Sequence, residues 1–360
     1  MTGKITSQPR PVATPLAYPP SWFDRLKTWV ERLPIPSWVF YLGIGFVFFV
    51  ASIAIEWTVE PAFIGKFNPL LTWLCFGTGY VLALMHYLDR IAARAMETAR
   101  PTLNVTPQEF DSLRYQLTHL PARNALVIGI AFAFLSIALF LGALSAMPLE
   151  TYTSQNISAH PLFIGYFTFI FIVTWFLYGT LIFHTVRQLR LVSRIYAQHV
   201  HVNLFALGPL YAFSQITART AIGWLIIVLF WSIANPQSYN MLVGLVSGGG
   251  FMLMASITFI LPLLGIHNRL TQEKERLRAE NDRRMQVAAD DLYQQVDSRE
   301  FQRMTALKDL LTALDIHAKT IHKIPTWPWD PETFRTLITA LLLPIALFVI
   351  QFVLGNVLAP

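Results

Sequence analysis

The chain has 360 residues, of which 54% are hydrophobic and 13% charged, and its mean hydropathy is +0.47. This composition excludes an ordinary soluble two-domain protein and fits a polytopic membrane protein. The net charge of +6 does not point to nucleic acid, because Lys and Arg follow the pattern of cytoplasmic membrane loops. A single cysteine, Cys75, excludes any disulfide within the chain.

Residues 1–20 are Pro-rich and polar and read as a disordered tail. Residues 21–33 (SWFDRLKTWVERL) predict a short amphipathic helix. Trp22, Phe23, Leu26, Trp29, Val30 and Leu33 share one face, and Asp24, Arg25, Lys27, Glu31 and Arg32 the other. Ser21 caps its start with Asp24 at the third position, and Pro34 and Pro36 end it. Such a helix either lies on the membrane interface or packs on the protein's own cytoplasmic part.

Seven stretches have the length and apolarity of a membrane span: 38–57, 70–88, 125–147, 161–184, 220–234, 241–266 and 336–358. The fifth is the shortest. It either borrows the preceding NLFALGPLYAFSQIT or leaves that stretch as a separate interfacial helix. With the N-terminus inside, segments 1–36, 89–124, 185–219 and 267–335 are cytoplasmic and hold 26 of the 27 Lys and Arg residues. That asymmetry predicts an N-inside, C-outside topology. Glu56 and Glu60 fall at the outer end of the first span, where a carboxylate is ordinarily solvated.

The second, fourth and sixth spans run into cytoplasmic helical extensions without a break signal, the fourth giving one helix of roughly 40 residues. A short helix with Thr106 as cap and Glu109 at the third position lies between the second and third spans. Ser247–Gly250 (SGGG) in the sixth span permits close packing or a hinge. Residues 37–266 thus form a six-span membrane domain, 267–330 a cytoplasmic helical anchor and 331–358 the last membrane helix.

Between the anchor and the last helix stands a stiff aromatic corner, IPTWPWDPETFR. Pro325, Pro328 and Pro331 recur every three residues, and Trp327 and Trp329 suit a membrane–water interface. Asp330 caps the last helix and Pro331 opens it. These residues, with Pro344 inside the last span, are the hinge or lever candidates. Enzyme signatures are absent: there is no Gly-rich phosphate loop, no HExxH and no GxSxG. No cofactor, metal or nucleic-acid partner is expected. Span centres hold almost no charge, which argues against a proton-coupled transporter.

The inverted topology, short outer loops, cytoplasmic extensions and final span resemble the seven-transmembrane ion channels of the insect odorant and gustatory receptor family. Ala346-Leu347-Phe348-Val349-Ile350 followed by Gln351-Phe352 matches the second half of that family's last-span motif. Pro344-Ile345 stands where the family has Thr-Tyr. The resemblance implies an all-α fold whose cytoplasmic anchor bundle holds four subunits together. It also implies that the last helix lines a cation-permeable pore, with Phe348, Ile350, Gln351, Leu354 and Asn356 as candidates. The expected partners are the lipid bilayer of the cell membrane, further copies of the chain as a tetramer, and a small-molecule ligand. The alternative is a non-conducting membrane sensor or scaffold that signals through residues 270–322.

Overall fold

The computed structural model describes residues 17–146, 153–200, 204, 207–234, 253, 255–298 and 304–358; side chains at 139–146, 231, 232, 234, 344, 345, 347, 348 and 351–358 are not among those described. The described residues are α-helical with short 3-10 turns and no strand.

Helix α1 (Trp22–Val30) carries the expected Ser21–Asp24 capping box. Helix α2 is Ser37–Val59 and α3 is Pro69–Ala99, the latter started by the Asn68 cap and Pro69. Helix α4 (Pro107–Thr118) carries the Thr106–Glu109 capping box, and α5 (Ala122–Ala146) follows after a sharp corner. A single turn, α6 (Gln155–Ser158), precedes α7 (Pro161–Gln198). Then come α8 (Gly208–Ala234), α9 (Leu264–Asp297), α10 (Met304–Lys323) and α11 (Pro331–Leu358).

Four helices among the described residues are long and apolar enough to cross a membrane: Ser37–Val59, Pro69–Thr102, Pro161–Gln198 and Gly208–Phe230. The chain is therefore an all-α protein of membrane type. Large apolar side chains stay open on the outer faces of these helices, Phe46 and Val47 on α2 and Phe169 on α7 among them. Helix α7 has 38 residues and is about 57 Å long, nearly twice the ~30 Å of a bilayer core. Its last turns are therefore predicted to stand clear of lipid, as the basic run after His184 requires.

The fifth apolar stretch does borrow the preceding sequence. Helix α8 runs unbroken from Gly208 to Ala234. Its polar first half is buried because each hydroxyl donates to a carbonyl one turn back: Ser214 to Tyr211, Thr217 to Ser214 and Thr220 to Ile216. The sixth stretch is mostly outside the described residues, including Ser247–Gly250. Its described end corrects the expectation of an uninterrupted extension. Residues 255–260 are helical, a 3-10 turn at Leu261–Leu263 intervenes, and α9 begins at Leu264. Pro262 has no N–H to continue the α ladder, and Ser193 of α7 donates to its carbonyl at 3.3 Å.

Three apolar cores hold the membrane helices. The largest joins α3, α4, α7 and α8 to the base of α11 through Leu337. The second joins α1, α2, α3, α7 and α8, and the third joins α2, α3, α6 and α7 at the other end. Gly79 of α3 lies directly against the Tyr41 carbonyl of α2, where any Cβ would overlap it. Helices α9 and α10 form an antiparallel hairpin. Its inner seam contains Leu270, Ala288, Leu307 and Ile321, with buried Asn281 donating to the Leu314 carbonyl at 3.3 Å and meeting His317 Nδ1 at 2.9 Å.

Candidate functional site

A dense polar cluster lies where α1 meets the end of α4 and the middle turns of α3 and α7. Helix α1 docks by one flank of its apolar face, with Phe23 and Val30 in the core and Trp22 and Leu26 packed against it, and it turns part of its polar face inward as well. The buried set is Phe23, Asp24, Lys27 and Val30, while Trp29 is half exposed. The helix is therefore rotated so that the seam between its two faces points inward. It packs on the protein itself. Residues Tyr18 and Pro20, expected in a disordered tail, pack there too. The Tyr18 hydroxyl donates to the His119 carbonyl at 2.9 Å, and its ring meets Tyr115 at 5.3 Å.

Turning the seam inward buries two charges, and both are matched. Lys27 Nζ lies 2.6 Å from Asp89 Oδ2 and donates to the Thr118 carbonyl at 2.8 Å. Burial alone would lower the Lys27 pKa, but the neighbouring Asp89 carboxylate outweighs it and holds the ammonium above its ordinary value. Asp89 also meets His184 Nε2 of α7 at 2.8 Å. Asp24 Oδ2 accepts from Ser21 N at 2.8 Å, from Ser21 Oγ at 2.7 Å and from Leu120 N at 3.0 Å. A second set continues the network: Tyr41 Oη meets His86 Nδ1 at 2.9 Å, and His86 Nε2 meets Glu31 at 3.0 Å.

The same cluster completes the C-terminus of α4. A helix end leaves its last carbonyls without internal donors. Here Lys27 takes Thr118, Gln188 takes Leu117 at 3.2 Å, and Arg187 takes Gln116 and His119. Two cations at a helix C-terminus also oppose its negative dipole end. Chemically this is a latch between four helices. No group of three or more His, Cys, Asp or Glu suited to a metal ion occurs among the described residues.

Sequence reasoning missed this latch, although His86, Asp89 and His184 near the inner ends of two spans were its visible trace. Glu56 is the other surprise. It is buried at 1% exposure instead of being solvated, because α2 turns it toward α3, and one of its carboxyl oxygens has no hydrogen-bond partner.

An apolar groove of about 620 Å³ opens between α2, α3, α7 and α8. Aromatic side chains dominate its wall, including Trp38, Phe67, Trp73, Tyr80 and Phe230. The Tyr80 hydroxyl is engaged with the Gly223 carbonyl at 3.0 Å. Its size and lining suit a compact lipophilic molecule.

The aromatic corner is a stack of rings. His267 of α9 lies on Trp327 at 3.9 Å, Trp327 on Trp329 at 4.4 Å, and Trp329 on Phe334 at 5.1 Å, with Phe259 against Trp329 at 5.4 Å. His267 Nδ1 also reaches the Thr326 carbonyl at 3.1 Å. Lys274 Nζ caps the end of α10 by donating to the His322 and Ile324 carbonyls at 2.8 and 2.7 Å. Pro325 and Pro328 set the corner between these contacts, and Pro331 opens α11, which is assigned as helix through Pro344. Among the pore candidates, Ile350 is half exposed on α11. Phe348, Gln351, Leu354 and Asn356 belong to α11, but their side chains lie outside the described ones.

The chain matches no protein-family model, no curated protein and no solved structure.

Proposed function

We propose that this chain is a seven-span membrane protein, N-terminus in the cytoplasm and C-terminus outside, that assembles as a tetramer around a central cation-permeable pore lined by α11. The carrying observation is the asymmetry of α11. Its base is held by the ring stack and by Leu337 in the main core, whereas Leu342, Leu343, Val349 and Ile350 further along are left open by the chain's own helices. An apolar face of that kind meets either lipid or another copy, and the second choice makes it the wall of a shared axis. The cytoplasmic hairpin enters the same stack through His267, so a change in the hairpin reaches the base of α11 directly. A small lipophilic ligand in the aromatic groove is the stimulus this reading assigns.

Reconstitution into planar bilayers tests it. The expected result is a cation current that Gln351→Ala or Leu354→Ala alters in conductance or selectivity, from a particle with the mass of four chains. A monomer in lipid nanodiscs, or bilayers that stay silent across lipophilic ligands, ends the channel reading. Topology is testable separately. Cys75 is buried, so single cysteines added at loop positions report their side cleanly with an impermeant maleimide.

The second reading, a non-conducting sensor or scaffold in the cell membrane, draws on the groove and latch without needing a pore. It calls for silent bilayers together with ligand-dependent protection of the α9–α10 hairpin from protease.

A further inference from the structure

On the outer side of the latch, sharing Asp24, Tyr115 and His119 with it, an open cleft of about 390 Å³ lies between α1 and the α4–α5 corner. Its rim carries Arg25 and Arg32, seven positions apart and so two turns along the same side of α1 and the turn that follows it. Both are exposed, and neither guanidinium has a carboxylate within ion-pair distance among the described residues. Arg114 pairs with Glu97, Arg276 with Glu273 and Arg284 with Glu280, whereas Arg25 and Arg32 belong to the arginines left without such a partner. The cleft contains one carboxylate, Asp24, whose Oδ2 is taken by the Ser21 and Leu120 donors and whose Oδ1, without a hydrogen bond, faces the Lys27 ammonium at 3.6 Å.

The remaining wall sets the depth. Trp29 lines the cleft and is 51% exposed, and Trp38 at the start of α2, 63% exposed, lies next in sequence on the membrane side. Half-open tryptophans beside arginines mark the level of lipid headgroups. A forked guanidinium donates in the geometry that phosphate oxygens accept, and two of them on one rim suit a single phosphate with two free oxygens.

We infer that the Arg25–Arg32 cleft binds a phosphate group, as the headgroup of an anionic phospholipid or as a soluble phosphate compound. The site sits on the helix that Lys27 ties to Asp89, so an occupant bears on whether α1 stays docked.

The test uses the full-length protein in detergent, with native mass spectrometry counting retained phosphatidylglycerol against phosphatidylcholine. Pyrophosphate is the soluble arm. Wild type is expected to retain phosphatidylglycerol, and Arg25→Gln/Arg32→Gln to weaken that retention by about tenfold or more. Arg276→Gln/Arg278→Gln on the hairpin is expected to leave it unchanged. Arg25→Lys/Arg32→Lys, which keeps the charge but loses the fork, is expected to restore only part of the retention, and an unchanged melting temperature of the Gln variant separates a lost site from a misfolded chain. Displacement by pyrophosphate at low concentration, with no preference between the lipids, assigns the site to the soluble source. Equal retention of both lipids with no pyrophosphate binding overturns the inference. So does equal loss in the hairpin control.

Discussion

The two ends of the molecule are fastened by different chemistry. At α1 the fastening is ionic and buried: Lys27, Asp89 and His184 meet out of water, and three side chains finish the end of α4. At α11 it is a stack of rings at the edge of the main core, which it joins through Phe259, with open apolar surface beyond it. A buried ion pair is unforgiving, because removing one partner strands the other. A ring stack degrades gradually, since each ring contributes on the order of 1 kcal/mol and its neighbours can slide. The α1 end is thus built to hold, and the α11 end to yield.

Asp89→Asn should give the largest effect. It strands the Lys27 ammonium and costs about 3–5 kcal/mol, read as a steep fall in melting temperature in detergent. The double variant Lys27→Met/Asp89→Leu should recover much of that loss, and a double variant as unstable as the single one contradicts the latch. Next comes Gly79→Leu, which forces α2 away from the α3 backbone. The expected cost is about 1–3 kcal/mol, visible in the same melting experiment. A smaller change is expected from Trp329→Ala. Global melting should barely move, while hydrogen exchange speeds up across 264–334. A global collapse here would erase the contrast between the two ends.

The mildest test is pH. Burial first, and then the positive charge of Lys27, hold the His119 pKa below its ordinary value. Folding therefore favours the neutral ring. This stability is fully present above the ordinary histidine value of about 6.5 and is lost as pH falls through the lower folded value. Melting temperature should drop between neutral and mildly acidic pH, and His119→Gln should flatten part of that drop.

Local features were legible in the sequence. Both capping boxes, the long helix through His184 and the Pro-Trp corner follow from residues a few positions apart. The α1 latch did not, because Lys27, Asp89 and His184 are 62 and 95 positions from their partners. Periodicity also misled there. It grouped Trp29 with the residues to be buried and Asp24 and Lys27 with the solvated ones, whereas matched charges let that flank of the polar face turn inward. The turn at Pro262 was legible in principle, since proline was in plain view, but the surrounding hydropathy concealed it.

The length of α9 has a mechanical consequence. Thirty-four residues make an arm of about 50 Å, and His267 joins the rings within its first turn. A tilt of about 5° about that joint carries the far end some 4 Å while the histidine ring moves only a few tenths of an ångström. The hairpin therefore works as a reduction gear: wide, weak excursions at its tip arrive at the tryptophans as small, forceful ones.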